Sequence, residues 1–429
     1  MENKREYYRE FNVSPCIINL AKEAEEKVKS SFYHIDAVRE QNQLKVIRAM
    51  QLEKLSDTHF SGTTGYGYND RGREVLDAVY AHAFHAEDAL VRHSITCGSH
   101  ALALCLYGIL RPSDELLAIT GKPYDTLDEV IGIRGQEGAG SLKEYGVTYN
   151  QVDLTTDGKF DDKAITKAIN NRTKLIFIQR SRGYAWRPAV TVSEIERIVT
   201  LVKFIKSDIL VMVDNCYGEF VEDREPTEVG VDIMAGSLIK NPGGGLVPSG
   251  GYIAGRKDLI EKVSYRMTLP GLGREVGATL GQNRLLFQGF FMAPHVVAES
   301  LKGAVFTAQL MQDLGFETYP GPFDVRCDLI QAIKFNREDA IIAFCQGIQK
   351  GSPVDSFVRP EPWDMPGYDS PVIMAAGAFI QGSSIELSAD APIREPYTAY
   401  MQGGLVYEHV KLGAMCAVQE LLNHGIISL

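Results

Sequence analysis

Between about residues 87 and 256, short apolar runs alternate with longer amphipathic stretches, and this alternation constrains the fold more than any other feature. The runs at 116–119 (Leu-Leu-Ala-Ile), 147–154, 175–178 (Leu-Ile-Phe-Ile) and 209–213 (Ile-Leu-Val-Met-Val) lack the polar alternation of a half-exposed strand. They suit strands buried on both faces, as in a parallel sheet. Between them, residues 161–170 and 193–205 repeat apolar side chains at spacings of three and four, which predicts crossover helices. The chain therefore predicts an α/β domain with a mainly parallel, doubly wound sheet. Ligands of such sheets sit beyond the carboxyl ends of the strands, and the run at 209–213 ends there on Asp214.

The 429 residues exceed the size at which one hydrophobic core stops growing, so two domains are expected. Residues 1–60 are polar and helix-like and read as an arm, with 61–291 as the large domain. After residue 292 the pattern changes to a helix at 298–314, short runs broken by Pro and Gly, and a closing helix at 412–422. That predicts a smaller α+β domain over 292–429. With 45% hydrophobic and 23% charged residues, the composition is that of a soluble globular chain. The net charge of -11 comes from dispersed acids, which disfavours nucleic-acid and anionic-membrane partners and requires a locally built site for any anionic ligand. Seven cysteines without a CxxC pair suit reduced thiols and a cytoplasmic protein. The N-terminus has charges where a signal peptide needs an apolar core, and no apolar run approaches the roughly 18 residues of a membrane span. His82 and His85 sit three apart without a clear acidic or cysteine ligand and read as helix-surface histidines, so no metal site is predicted.

Lys240 closes the phrase Ser237-Leu238-Ile239-Lys240-Asn241-Pro242-Gly243-Gly244-Gly245, 26 residues after Asp214. A lysine amine can hold the aldehyde of pyridoxal phosphate covalently, and a carboxylate can keep the pyridine nitrogen protonated, so that the ring accepts electrons. A phosphate needs amide donors at a helix start plus hydroxyls. Thr96-Cys97-Gly98-Ser99-His100-Ala101 offers them after an apolar run, with Gly98 and Ser99 presenting amides and Ser237 a hydroxyl. Tyr124 is placed to stack on a flat cofactor. Residues 62–71, Gly-Thr-Thr-Gly-Tyr-Gly-Tyr-Asn-Asp-Arg, form a polar loop in which Arg71 can neutralise phosphate beside Tyr66 and Tyr68. A nucleotide-binding P-loop is excluded because no GxxxxGK[ST] string occurs.

These pieces resemble the fold-type I pyridoxal phosphate enzymes of cysteine and methionine metabolism, methionine gamma-lyase and the cystathionine lyases, over about half the chain. That family carries a VDNxYxxP-like strand end, then GxDxVxxSxTK, then a glycine-rich stretch. Here Val213-Asp214-Asn215-Cys216-Tyr217, residues 230–240 and residues 241–252 correspond. The resemblance implies Lys240 as the Schiff-base lysine, Asp214 as partner of the pyridinium, Ser237, Gly98 and Ser99 as phosphate cradle and Tyr124 as stacking ring. It also implies a homo-oligomer, a tetramer built from dimers, in which Tyr66, Tyr68 or Arg71 reaches a neighbouring subunit's phosphate. Three departures stand out: Ile239 replaces a threonine, Gln179-Arg180-Ser181-Arg182-Gly183-Tyr184 replaces ExPxNP, and Glu386 stands where the family has its substrate-carboxylate arginine. With these departures the chain most resembles the branch named for aluminium resistance. Arg394 is the first candidate for the missing cation, with Arg182 and Arg187 as alternatives. The implied reaction is carbon-sulfur cleavage of an amino acid by beta or gamma elimination. An aldolase or aminotransferase of the same fold type, or an inactive homologue, are the other readings.

Overall fold

The computed structural model describes residues 7–364 and 370–429, and divides into two compact units. One is Gln41–Ala293; the other joins Met1–Glu40 to Pro294–Leu429. The second boundary falls inside the helix Asn283–Asp313 at Pro294, whose ring removes a donor from the helical ladder.

The larger unit is built on a seven-stranded sheet: β1 (Asp88–Arg92), β2 (Glu115–Ala118), β3 (Thr148–Gln151), β4 (Thr173–Gln179), β5 (Leu210–Asp214), β6 (Ile233–Ser237) and β7 (Gly251–Gly255). Their order is β1-β7-β6-β5-β4-β2-β3, parallel except where β7 runs against both its neighbours. The apolar runs are buried for the expected reason: Leu175, Ile176, Phe177 and Ile178 are each at most 1% exposed, with helices on both sides. The helix Val192–Ile205 starts with a capping box between Thr191 and Glu194, and buries Ile195, Ile198, Val199 and Val202 along one stripe. The helix Asp162–Ala168 likewise falls within its predicted stretch. The run at 147–154 differs from expectation: only four residues pair, and they are partly exposed because β3 is the sheet's edge.

The smaller unit holds an antiparallel sheet, β8 (Glu317–Tyr319), β9 (Gln331–Lys334), β10 (Val372–Ala376), β11 (Ser388–Pro392) and β12 (Thr398–Gln402), in the order β10-β11-β12-β9-β8. The helices Glu338–Lys350 and Tyr407–Asn423 pack on each other through Gly347, where an added Cβ would lie 2.3 Å from the Ala417 Cα. The arm expected over 1–60 is not a separate piece. Val13, Ile17, Ile18, Ala21 and Ala24 form a buried stripe in one core with Phe306, Leu310 and Phe344, while residues 41–60 belong to the larger unit. A stripe of this kind stabilises by about 0.8 kcal/mol per buried methylene, which ties an otherwise polar helix down.

Candidate active site

The strand register brings three residues side by side at the carboxyl edge of the larger sheet. Gln179 at the end of β4 is aligned with Asp214 at the end of β5, Asp214 with Ala235, and β6 ends two residues later at Ser237. The helix Gly98–Ile109 begins against this edge. A Cβ on Gly98 would stand 3.2 Å from Cys216 Sγ and 3.3 Å from Ser237 Cβ, so the residue's smallness sets how closely the helix start approaches. Its N-cap residue, Cys97, makes no side-chain cap bond, which leaves the first amides and the positive end of the helix dipole facing the edge.

Other residues predicted for the site lie on the elements around this edge. Ser99 Oγ and Thr126 Oγ1 are 2.6 Å apart, which joins the helix start to the turn that begins at Tyr124. Gly183, with φ +56°, brings the loop after β4 close: a Cβ there would lie 3.4 Å from Gln179 Nε2 and 3.8 Å from Tyr124 Cδ2. Ser237 is 2% exposed, and its hydroxyl accepts the Ile239 N–H at 3.3 Å. Lys240 Nζ lies 4.1 Å from the centroid of the Tyr217 ring.

The charges of this cluster depend on one another. Burial works against the Lys240 ammonium, but the negative character of Cys216, Tyr217, Asp214 and Glu219 around it prevails and holds the amine well above the usual lysine range. Burial pushes the Asp214 carboxyl up, against the pull of the Lys240 charge and of the Cys216 N–H, which donates to Oδ1 at 3.1 Å. The Lys240 charge and the Cys216 N–H thus favour the ionised carboxyl, which burial disfavours.

Two of the three arginines in the loop after β4, Arg180 and Arg187, are structural. Arg180, fully buried, donates to Asn215 Oδ1 at 2.7 Å and Glu222 Oε2 at 2.6 Å, and so fixes the loop after Asp214. Arg187 donates to the Ser181 carbonyl at 2.6 Å. Arg182 is 2% exposed in the same loop, at the carboxyl edge.

The loop carrying Tyr66, Tyr68 and Arg71 is held from below. Arg73 donates to the carbonyls of Gly67 at 2.8 Å and Gly277 at 2.7 Å, and Asp70 accepts from Thr63 and Thr279. The rings of Tyr66 and Tyr68 are left outward, 76% and 52% exposed, and Arg71 is exposed at the start of the helix Arg71–Ala83.

In the smaller unit, the Glu386 carboxylate accepts the N–H groups of Phe379 at 2.8 Å and Ile380 at 2.9 Å, and so serves as a loop cap. Arg394 does not take Glu386's place. Glu386 precedes β11, whereas Arg394 is exposed in the turn beyond the strand's other end.

Cys216, Tyr217, Glu219 and Gln179 also belong to this neighbourhood, although sequence reasoning did not select them. Cys216 and Tyr217 immediately follow Asp214 and Asn215, and their position after a strand-ending aspartate was the available signal.

Residues 17–422 match the family described as Methionine gamma-lyase. The uncharacterized protein YnbB of Bacillus subtilis is 54% identical over 407 residues, 95% of this chain and 97% of that one. The crystal structure of a carbon-sulfur lyase involved in aluminum resistance from Clostridium novyi superposes with a TM-score of 0.95 at 51% identity, covering 98% of this chain and 99% of that one. For fold alone, the pyridoxal-5'-phosphate dependent protein YhfS of Escherichia coli superposes with a TM-score of 0.61 at 16% identity, over 91% of this chain and 97% of that one. The chain belongs to the methionine gamma-lyase family of pyridoxal phosphate-dependent lyases.

Proposed function

We propose that this enzyme breaks a carbon-sulfur bond in a sulfur-containing amino acid by beta or gamma elimination, releasing a thiol, ammonia and a keto acid. The observation that carries the reading is the convergence of Lys240 and the buried Asp214 carboxyl with the glycine-lined start of the helix Gly98–Ile109 at one sheet edge. The residues fit pyridoxal phosphate: the space at Gly98 is one that a Cβ would crowd, and the buried carboxyl calls for a cation. Lys240 would hold the aldehyde carbon, Asp214 the ring nitrogen, the amides of Gly98 and Ser99 with the Ser237 hydroxyl the phosphate, and Tyr124 a ring face. When bound, the cofactor supplies an electron sink next to the substrate's alpha carbon.

The protein's part is to place protons and charge. Asp214 would present its carboxylate to the ring nitrogen, and its burial would make that charge more effective than it would be in water. Lys240 Nζ, confined against the Tyr217 ring, is the base placed to take the alpha proton and return it at a neighbouring carbon. Arg182 is the anchor we assign to the substrate carboxylate, because it is buried in the loop at the carboxyl edge and Glu386 is occupied as a cap. With the family's arginine replaced at Glu386, a modified or bulkier sulfur amino acid is the expected substrate. We also propose a homotetramer of dimers whose sites are completed by the Tyr66 to Arg71 loop, a reading supported by two tyrosine rings held outward on a rigid base.

Borohydride reduction followed by peptide mapping tests the site, with the pyridoxyl group expected on Lys240; another lysine would refute it. Product analysis with cystathionine, methionine, cysteine and threonine tests the reaction. Thiol and keto acid release is expected, whereas retro-aldol cleavage or transamination without thiol would replace the lyase reading.

A further inference from the structure

A second carboxyl is buried near Lys240, on the opposite face of the sheet from Asp214. Asp214 is aligned with Ala235, which shares a face with Ser237; Gly236 between them points the other way. A Cβ on Gly236 would lie 2.5 Å from Glu219 Oε1, so Glu219 occupies that opposite face. Its side chain is 0% exposed. Oε1 accepts the Tyr252 hydroxyl at 2.8 Å, while Oε2 has no hydrogen-bond partner among the described residues. The Asn241 side chain donates to the Glu219 carbonyl at 2.9 Å, which ties this residue to the one following Lys240.

A buried carboxyl satisfied on one oxygen alone is a cost to folding that glutamine or leucine would lessen, so its presence asks for a use. The groups that act on it come from every adjoining element. They are Tyr252 on β7, Tyr80 on the helix Arg71–Ala83, Cys216 and Glu225 after β5, and Lys240 after β6.

We propose that Glu219 is a positioning residue for Lys240, acting through charge. While protonated it leaves the lysine to Cys216, Tyr217 and Asp214; once ionised it adds a negative charge that holds the proton on the lysine nitrogen more tightly. Burial pushes the Glu219 carboxyl up to about 8, against its own backbone N–H, the Tyr252 hydrogen bond and the Lys240 charge and with the Glu225 charge, so the switch falls near neutral pH. The inference rests on Lys240 being the cofactor lysine.

The test follows the visible absorbance of the lysine-bound cofactor, not turnover, across the neutral to alkaline range. In Glu219→Gln the midpoint is expected to fall, the lysine nitrogen losing roughly tenfold in proton affinity, as for a unit charge several ångströms away in a partly screened site. Tyr252→Phe, which removes the bond favouring the ionised carboxylate, should shift it the same way by less, and carries the test where Glu219→Gln does not fold. A lysine-type band that survives Lys240→Ala overturns the reading of Lys240 and this inference together. A band that Lys240→Ala abolishes, but whose midpoint is the same in wild type and both variants, overturns this inference alone.

Discussion

Two glycines at the two ends of one helix give a sharp test of the phosphate cradle. Carbon atoms pack best at about 3.5–4.0 Å. A methyl on Gly98 would sit 3.2 Å from Cys216 Sγ and 3.3 Å from Ser237 Cβ, so Gly98→Ala forces the helix start away from the sheet edge by a few tenths of an ångström. Gly108→Ala meets a similar obstacle, 3.0 Å from the Cα and Cγ2 of Val263, but at the helix end remote from Lys240. Overpacking of this kind costs about 1–3 kcal/mol. At Gly108 a gain of about 1 kcal/mol in helix propensity offsets part of it, leaving a modest loss of stability. At Gly98 the displaced atoms are the amide donors themselves, and the same energy taken from cofactor binding is a rise in Kd of about ten- to hundredfold. Titration of the apoprotein with pyridoxal phosphate, followed by absorbance, measures Kd, and urea denaturation measures stability. We expect Gly98→Ala to weaken cofactor binding and Gly108→Ala to lower stability with Kd unchanged. An unchanged Kd in Gly98→Ala, or equal weakening in both, would refute the reasoning.

Asp214→Ala should fold and lose activity by several orders of magnitude, since the ring nitrogen loses its counter-charge; a fully active variant by turnover assay would exclude the role. In the apoprotein, Glu219 has a folded pKa raised to about 8 from 4.5, so its stabilising contribution is present below about 4.5 and lost as pH rises through about 8. Relative to Glu219→Gln, wild-type stability should fall by about 1.4 kcal/mol per pH unit across that window, and parallel denaturation curves would refute it. Arg182→Ala should raise KM at least tenfold with the cofactor spectrum unchanged, while Arg394→Ala, on an exposed turn, should leave KM within about twofold; the reverse result in steady-state kinetics would exchange the two roles. Replacing Tyr66 and Tyr68 together by Ala should shift the mass measured by light scattering toward smaller species, and an unchanged mass with unchanged cofactor affinity would end the shared-site proposal.

Much of the site was legible in the order of residues. Uninterrupted apolar runs at 175–178 and 209–213 could satisfy their side chains only between two helical layers, so the parallel sheet and the edge position of Asp214 followed from local pattern. Ser237 ends the strand paired with Asp214's, and Lys240 follows three residues later in the turn before the glycine-rich stretch, so both were readable from their place in the order of residues. Periodicity reports which side of an element is buried, not what buries it. The antiparallel insertion of β7, the edge position of β3, and the joining of residues 1–40 to the C-terminal unit were therefore decided by tertiary packing alone. The same limit applies to charge. Glu386 and Glu219 are both plain glutamates in the sequence, yet one accepts two backbone amides of a neighbouring loop and the other is buried beneath β6 with the Tyr252 hydroxyl on one oxygen. A carboxyl's pKa is set by the water it loses and the donors it gains, and only the folded chain brings those together.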